Sequence, residues 1–87
     1  MYVVYILYSH KIDQYYIGFT KDITDRLRRH NTKNKGFTNK AKDWKIVYRE
    51  YFHDKLDALK REKEIKSWKS RTLIEKLISS AGLEHSN

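Results

Sequence analysis

Tyr5, Tyr16, Arg26, His30 and Glu62 are the residues of this chain whose types and spacing could do chemistry. On a helix opened at Asp54, residues Ala58, Glu62 and Ile65 fall at i, i+4 and i+7, which places Glu62 in the apolar stripe. A carboxylate there needs a partner, and spacing alone leans to a Lys or Arg from the neighbouring strand rather than to a chemical one. Arg26 and His30 are i,i+4 neighbours flanking an Ile23/Leu27 stripe, where an arginine suits a phosphate. The alternative makes Arg26 one more surface cation beside Arg28 and Arg29, and His30 a half-buried residue at a helix end. Tyr5 and Tyr16 lie inside two strands expected to pair, where a phenol is more often a packing residue with one hydrogen bond than a proton carrier. Gly18 stands two residues beyond Tyr16 on the same strand face, has no side chain to pack, and marks a close approach to the backbone.

The elements that must position these residues follow from local composition. Residues 2 to 9 are β-branched and aromatic without a polar break, which predicts a strand buried on both faces. Residues 15 to 20 repeat that composition after a short polar link and complete a hairpin. Asp22 caps a short helix carrying Ile23 and Leu27, and residues 32 to 43 form a polar, basic loop with at most one helical turn. Lys45 to Phe52 is a third strand, with Ile46, Tyr48 and Glu50 on one face and Val47, Arg49 and Tyr51 on the other. Asp54 opens a helix to about Trp68, and Ser70 or Thr72 opens another through Ile78, with Gly82 past its end. The expected fold is α+β: a small three-stranded antiparallel sheet flanked by helices, one domain over 1–80 and a tail over 81–87.

Composition narrows the partners. Nineteen Lys and Arg against eleven Asp and Glu leave a formal +8 on 87 residues, a field that asks for a polyanion. Between Arg26 and Lys45 there are eight basic residues and one acid, Asp43, so that stretch reads as a phosphate-tracking surface rather than a solubilising one, which would mix signs. Phe37 and Trp44 are interleaved in it; both could stack on unpaired bases, and Trp44 is better placed to anchor the third strand. Membrane-surface binding is the lesser rival, because the segment lacks a wide apolar face. With no cysteine, disulfides, thiolate zinc sites and a cysteine nucleophile are excluded. The uncharged run Met1 to Ser9 is far shorter than the ~20 apolar residues of a membrane span and lacks a basic flank. The expectation is a soluble, cytoplasmic protein.

Val4-Tyr5 and Tyr16-Ile17-Gly18, eleven residues from tyrosine to tyrosine, precede Arg26 and His30 on a helix and then Ala58-x-x-Arg61-Glu62. Together these elements resemble the GIY-YIG endonuclease family over nearly the whole chain, and most of all its small single-domain bacterial members. The resemblance implies an enzyme that cuts phosphodiesters with one divalent metal, Mg²⁺ or Mn²⁺, held by Glu62. It implies that Tyr5 takes a proton from the attacking water, that Tyr16 orients that water, and that Arg26 contacts the scissile phosphate. His30 matches an accessory position and Gly18 the glycine that admits the substrate. The first motif departs from the family pattern, reading Val3-Val4-Tyr5 without a leading glycine.

The chemistry is compatible with those residues. Cleavage needs a deprotonated water in line with the leaving oxygen and positive charge on the non-bridging oxygens, which a metal and Arg26 would supply. Tyr5 would have to lose its proton far below its ordinary pKa of ~10, through a cation field or by relaying the proton onward. The reading is therefore a metal-dependent endonuclease acting on DNA, with branched or damaged DNA as candidate substrates and RNA not excluded. Gly18, Arg28, Arg29, Lys33, Lys35, Lys40 and Lys42 are its substrate-binding residues. The runner-up is a nucleic-acid-binding module with the same fold and little turnover, or one that needs a protein partner for targeting. A small RNA-associated basic protein would account for the charge and not for the tyrosine, arginine and glutamate set.

Overall fold

The computed structural model of the chain describes residues 1–85, with side chains through Ala81. Three strands, β1 (Tyr2–Ser9), β2 (Gln14–Thr20) and β3 (Lys45–Phe52), form an antiparallel sheet in the order β2-β1-β3. The most apolar strand is the central one, and Val4, Tyr5, Ile6 and Leu7 are almost completely removed from water. In the β1/β2 register Tyr5 faces Gly18 and Leu7 faces Tyr16. The helices are α1 (Ile23–His30), α2 (Lys55–Trp68) and α3 (Arg71–His85), with a 3₁₀ turn over Phe37–Lys40. The predicted caps are in place: Asp22 accepts from the Asp25 N–H, Asp54 from the Leu56 N–H, and Ser70 from the Leu73 N–H.

Each face of the sheet has its own core. Val3, Tyr5 and Leu7 pack with Ile23 and Leu27 of α1 and with Ala41 and Trp44 of the basic loop. Val4, Ile6 and Ile17 pack with Ala58 and Ile65 of α2 and with Ile74, Leu77 and Ile78 of α3. The loop is thus tied to the α1 face, and Trp44, 3% exposed, sits in that core at the entry to β3, where it was expected to anchor the third strand. Asn31 clamps the Trp44 backbone from both sides, donating to its carbonyl at 2.8 Å and accepting its N–H at 2.7 Å.

Two details differ from the sequence reading. Ile46 shares a face with Leu7 and the α1 core, not with Tyr48, because the β1/β3 register slips between Ile6 and Leu7 and leaves Val47 as an extra residue. A bulge of one residue returns every following side chain to the alternative face, so Tyr48 and Phe52 point to the α2 side. Helix α3 also runs past Ile78 and through Gly82 to His85. A glycine inside a helix costs about 1 kcal/mol relative to alanine and need not end it. The left-handed residue that does end a helix is Lys69, at φ 48°, between α2 and α3. Residues 86–87 of the expected tail lie outside the described residues.

The hairpin turn is bound to α3. Asp13, at φ 53°, takes a hydrogen bond from the Tyr8 hydroxyl at 2.6 Å and an ion pair from Arg71. Arg71 also donates to the Asp13 carbonyl and to Glu75, which accepts from the Tyr15 hydroxyl. Arg71, and after it Tyr8, hold the Asp13 carboxyl below its usual range.

Candidate active site

Strand pairing and one helix bring three of the five candidate residues into contact. The Tyr5 ring, 1% exposed, lies over its β2 partner Gly18, and its hydroxyl oxygen is 2.9 Å from His30 Nε2 at the end of α1. Tyr16 completes the group, its ring 4.9 Å from His30 and 6.5 Å from Tyr5 between centroids. The second ring nitrogen of His30, Nδ1, is 2.7 Å from the Thr38 hydroxyl, and the Thr38 carbonyl accepts from the Trp44 indole N–H at 2.8 Å. The 3₁₀ turn therefore closes the site on the loop side.

Gly18 makes this arrangement sterically feasible. A Cβ built there would stand 2.6 Å from the Tyr5 oxygen, 2.7 Å from its ring and 3.2 Å from Tyr16. The Gly18→Ala variant is expected to force Tyr5 aside and to lose about 1–3 kcal/mol in chemical denaturation, the usual cost of overpacking. A variant as stable as the parent would mean that the phenol has room to move.

Arg26 lies beside this group electrostatically. Its cation pulls the pKa of the Tyr5 phenol down, although burial first, and Tyr16 and Glu62 after it, raise that pKa well above the ordinary value. Burial, and then Arg26, lower that of His30, favouring a neutral ring. Among the described residues Arg26 makes no ion pair, while its neighbours Arg28 and Arg29 are both held by Asp25, at 2.8 and 2.9 Å. Arg26 and Arg29 line a cleft of about 460 Å³ with Lys21, Lys55 and the acids Asp22 and Asp25, and Tyr5, Tyr16, His30 and Glu62 are not in its lining.

Glu62 is not in hydrogen-bonding contact with the others among the described residues. Its side chain is 14% exposed and its carboxylate pairs with Lys66, one turn on, at 3.2 Å. The cross-strand ion pair expected for Glu62 belongs instead to its neighbour: Arg61 reaches Glu50 of β3 at 3.2 Å and Glu64 at 2.8 Å. Glu62 still acts on the site through its field, as one of the causes raising the Tyr5 pKa.

The basic loop meets the site through Thr38 and Phe37. Lys33, Lys35, Lys40 and Lys42 are all exposed. Phe37, 40% exposed, stacks on Tyr16 at 6.3 Å and carries the Lys40 ammonium 4.5 Å above its ring. Thr38 and Asn34 escaped the sequence reading, since small polar residues in a basic loop have no periodicity to set them apart.

A family model for the GIY-YIG catalytic domain matches residues 1–76. The chain belongs to the GIY-YIG family. This is a family of nucleases, and the three-stranded α+β architecture agrees with its fold. The GIY-YIG chain is similar to a UPF0213 protein of Staphylococcus saprophyticus, at 43% identity over 65 residues, 74% of this chain and 78% of the relative. A UPF0213 protein of Staphylococcus aureus strain Mu3 is 37% identical over 54 residues, 61% of this chain and 66% of that one. No solved structure gives a significant match. Among the described residues no helix of this GIY-YIG chain is long and apolar enough to cross a membrane.

Proposed function

We propose that this GIY-YIG domain is a metal-dependent endonuclease that hydrolyses DNA phosphodiesters, with Tyr5, Tyr16, Arg26, His30 and Glu62 around the scissile phosphate. The observation that carries the reading is the buried Tyr5 hydroxyl, in contact with His30 and within the field of Arg26, which makes no ion pair among the described residues. Tyr5 takes the proton of the attacking water, Tyr16 orients that water, and Arg26 neutralises charge on the non-bridging oxygens.

The donor set suits a metal held by one carboxylate. Glu62 is mostly buried, its partner among the described residues is a half-exposed lysine, and no group of three or more acids and histidines gathers among the described residues. Mg²⁺ prefers one or two carboxylates, waters and a substrate phosphate to an all-protein cage. When bound, such an ion supplies Lewis acidity to the phosphate and lowers the pKa of coordinated water.

The test is incubation with labelled duplex, branched and single-stranded DNA, and with RNA, in the presence and absence of Mg²⁺ or Mn²⁺. Cleavage that requires the metal is the expected result; tight binding without cleavage of any substrate would make the domain a binding module. Arg28, Arg29 and the loop lysines track the backbone on either side of the site. Replacing Lys33, Lys35, Lys40 and Lys42 by Ala should weaken binding to all sequences about equally, and each lost phosphate contact should flatten the log–log salt dependence by about 0.9. A loss confined to one sequence would show that these lysines read bases.

A further inference from the structure

We propose that Thr38 is a positioning residue that keeps His30 in the Nδ1–H tautomer, so that the Nε2 lone pair faces the Tyr5 hydroxyl as its proton acceptor. The Asn34 side-chain nitrogen lies 3.3, 3.4 and 3.0 Å from the carbonyls of Arg29, His30 and Thr32, so that end of the amide donates. The other end is then the oxygen, which can only accept. It takes the Gly36 N–H at 2.8 Å and lies 3.5 Å from the Thr38 hydroxyl. A hydroxyl has one hydrogen, and when it is directed toward the Asn34 oxygen, the other side-chain acceptor near it, the Thr38 oxygen is left to accept from His30 Nδ1, 2.7 Å away. In a neutral ring the proton on Nδ1 leaves Nε2 unprotonated, and the Tyr5 hydroxyl donates to it across 2.9 Å.

The opposite polarity satisfies fewer of these contacts. With the proton on Nε2, Tyr5 would accept from His30, and its own O–H would find no second side-chain acceptor among the described residues. Thr38 would then donate to Nδ1 and meet the Asn34 oxygen with no hydrogen between them.

The consequence rests on the nuclease reading, whereas the tautomer does not. A buried phenol cannot release its proton to bulk water near neutrality, so Tyr5 can accept a proton only if it passes one on in the same step. As the water oxygen bonds to phosphorus, its hydrogen moves to the Tyr5 oxygen and the Tyr5 hydrogen moves to His30 Nε2, while the bond from phosphorus to the leaving sugar oxygen breaks and that oxygen takes its proton from solvent. The phenol ends neutral and His30 ends as imidazolium, its Nδ1–H still on Thr38.

The test is the ring nitrogen spectrum of ¹⁵N-histidine-labelled protein, recorded without substrate at a pH where His30 is neutral, on the parent and on Thr38→Val and Thr38→Ser. The parent should show His30 with Nδ1 protonated and Nε2 bare. Thr38→Val should move proton density to Nε2 and slow cleavage by about 10²-fold, the lower end of what general-base catalysis contributes. Thr38→Ser should restore both. A parent spectrum with Nε2 protonated, or a folded Thr38→Val with the parent's tautomer and rate, would overturn the proposal, and the parent spectrum decides even if the valine variant does not fold. A parent with the expected tautomer that cuts no nucleic acid would count against the nuclease reading alone.

Discussion

Glu62→Gln is expected to abolish cleavage while leaving the fold and the affinity for DNA close to those of the parent. The substitution keeps the shape of the side chain and removes its charge. What it deletes structurally is an i,i+4 pair with the half-exposed Lys66, worth about 0.3–0.5 kcal/mol. Ala58 and Ile65, which anchor α2 in the core, are untouched. Two measurements on one sample check this: Mn²⁺ binding by calorimetry, which should be lost, and chemical denaturation, which should barely change. If the variant unfolded while the parent showed no metal effect, Glu62 would be a structural residue and the metal would have to be held elsewhere.

Tyr5→Phe has the second largest expected effect. The ring and its packing over Gly18 are kept, and only the hydroxyl facing His30 is lost. Removing one partner of a buried hydrogen bond leaves the His30 nitrogen unsatisfied and should cost about 1–3 kcal/mol of stability. The rate should fall by roughly 10²–10⁴ as the general base disappears, at unchanged DNA affinity. Melting temperature, affinity and single-turnover cleavage on the same protein separate the two effects. Full cleavage by the phenylalanine variant would make Tyr5 a packing residue.

Much of the fold was legible because the relevant signals are local. The apolar run of β1, the caps Asp22, Asp54 and Ser70, and the burial of Trp44 ahead of β3 each depend on residue type within a few positions. The bulge at Val47 was not legible, because an extra residue is a property of the pairing between β1 and β3. The passage of α3 through Gly82 was missed because a weak helix penalty was read as a stop. At the site, residue types and order pointed to Tyr5, Tyr16 and His30, which the fold does bring together. Arg26 and Glu62 reach the group through their charge. Thr38 and Asn34 could not be singled out, since their importance lies in which atom holds a hydrogen.

The place of β1 in the sheet bears on how the protein is made. This strand is synthesised before both of its neighbours, yet it is the one that ends at the centre, and β3, which covers its second edge, ends at Phe52. At about 5–20 residues per second, the interval between the end of β1 and the end of β3 lasts seconds. Throughout it an uncharged, β-prone segment with an open edge stands in the nascent chain, the kind of stretch that pairs with other copies of itself. Aggregation during translation is thus a hazard of this topology, greatest before Lys45–Phe52 has emerged.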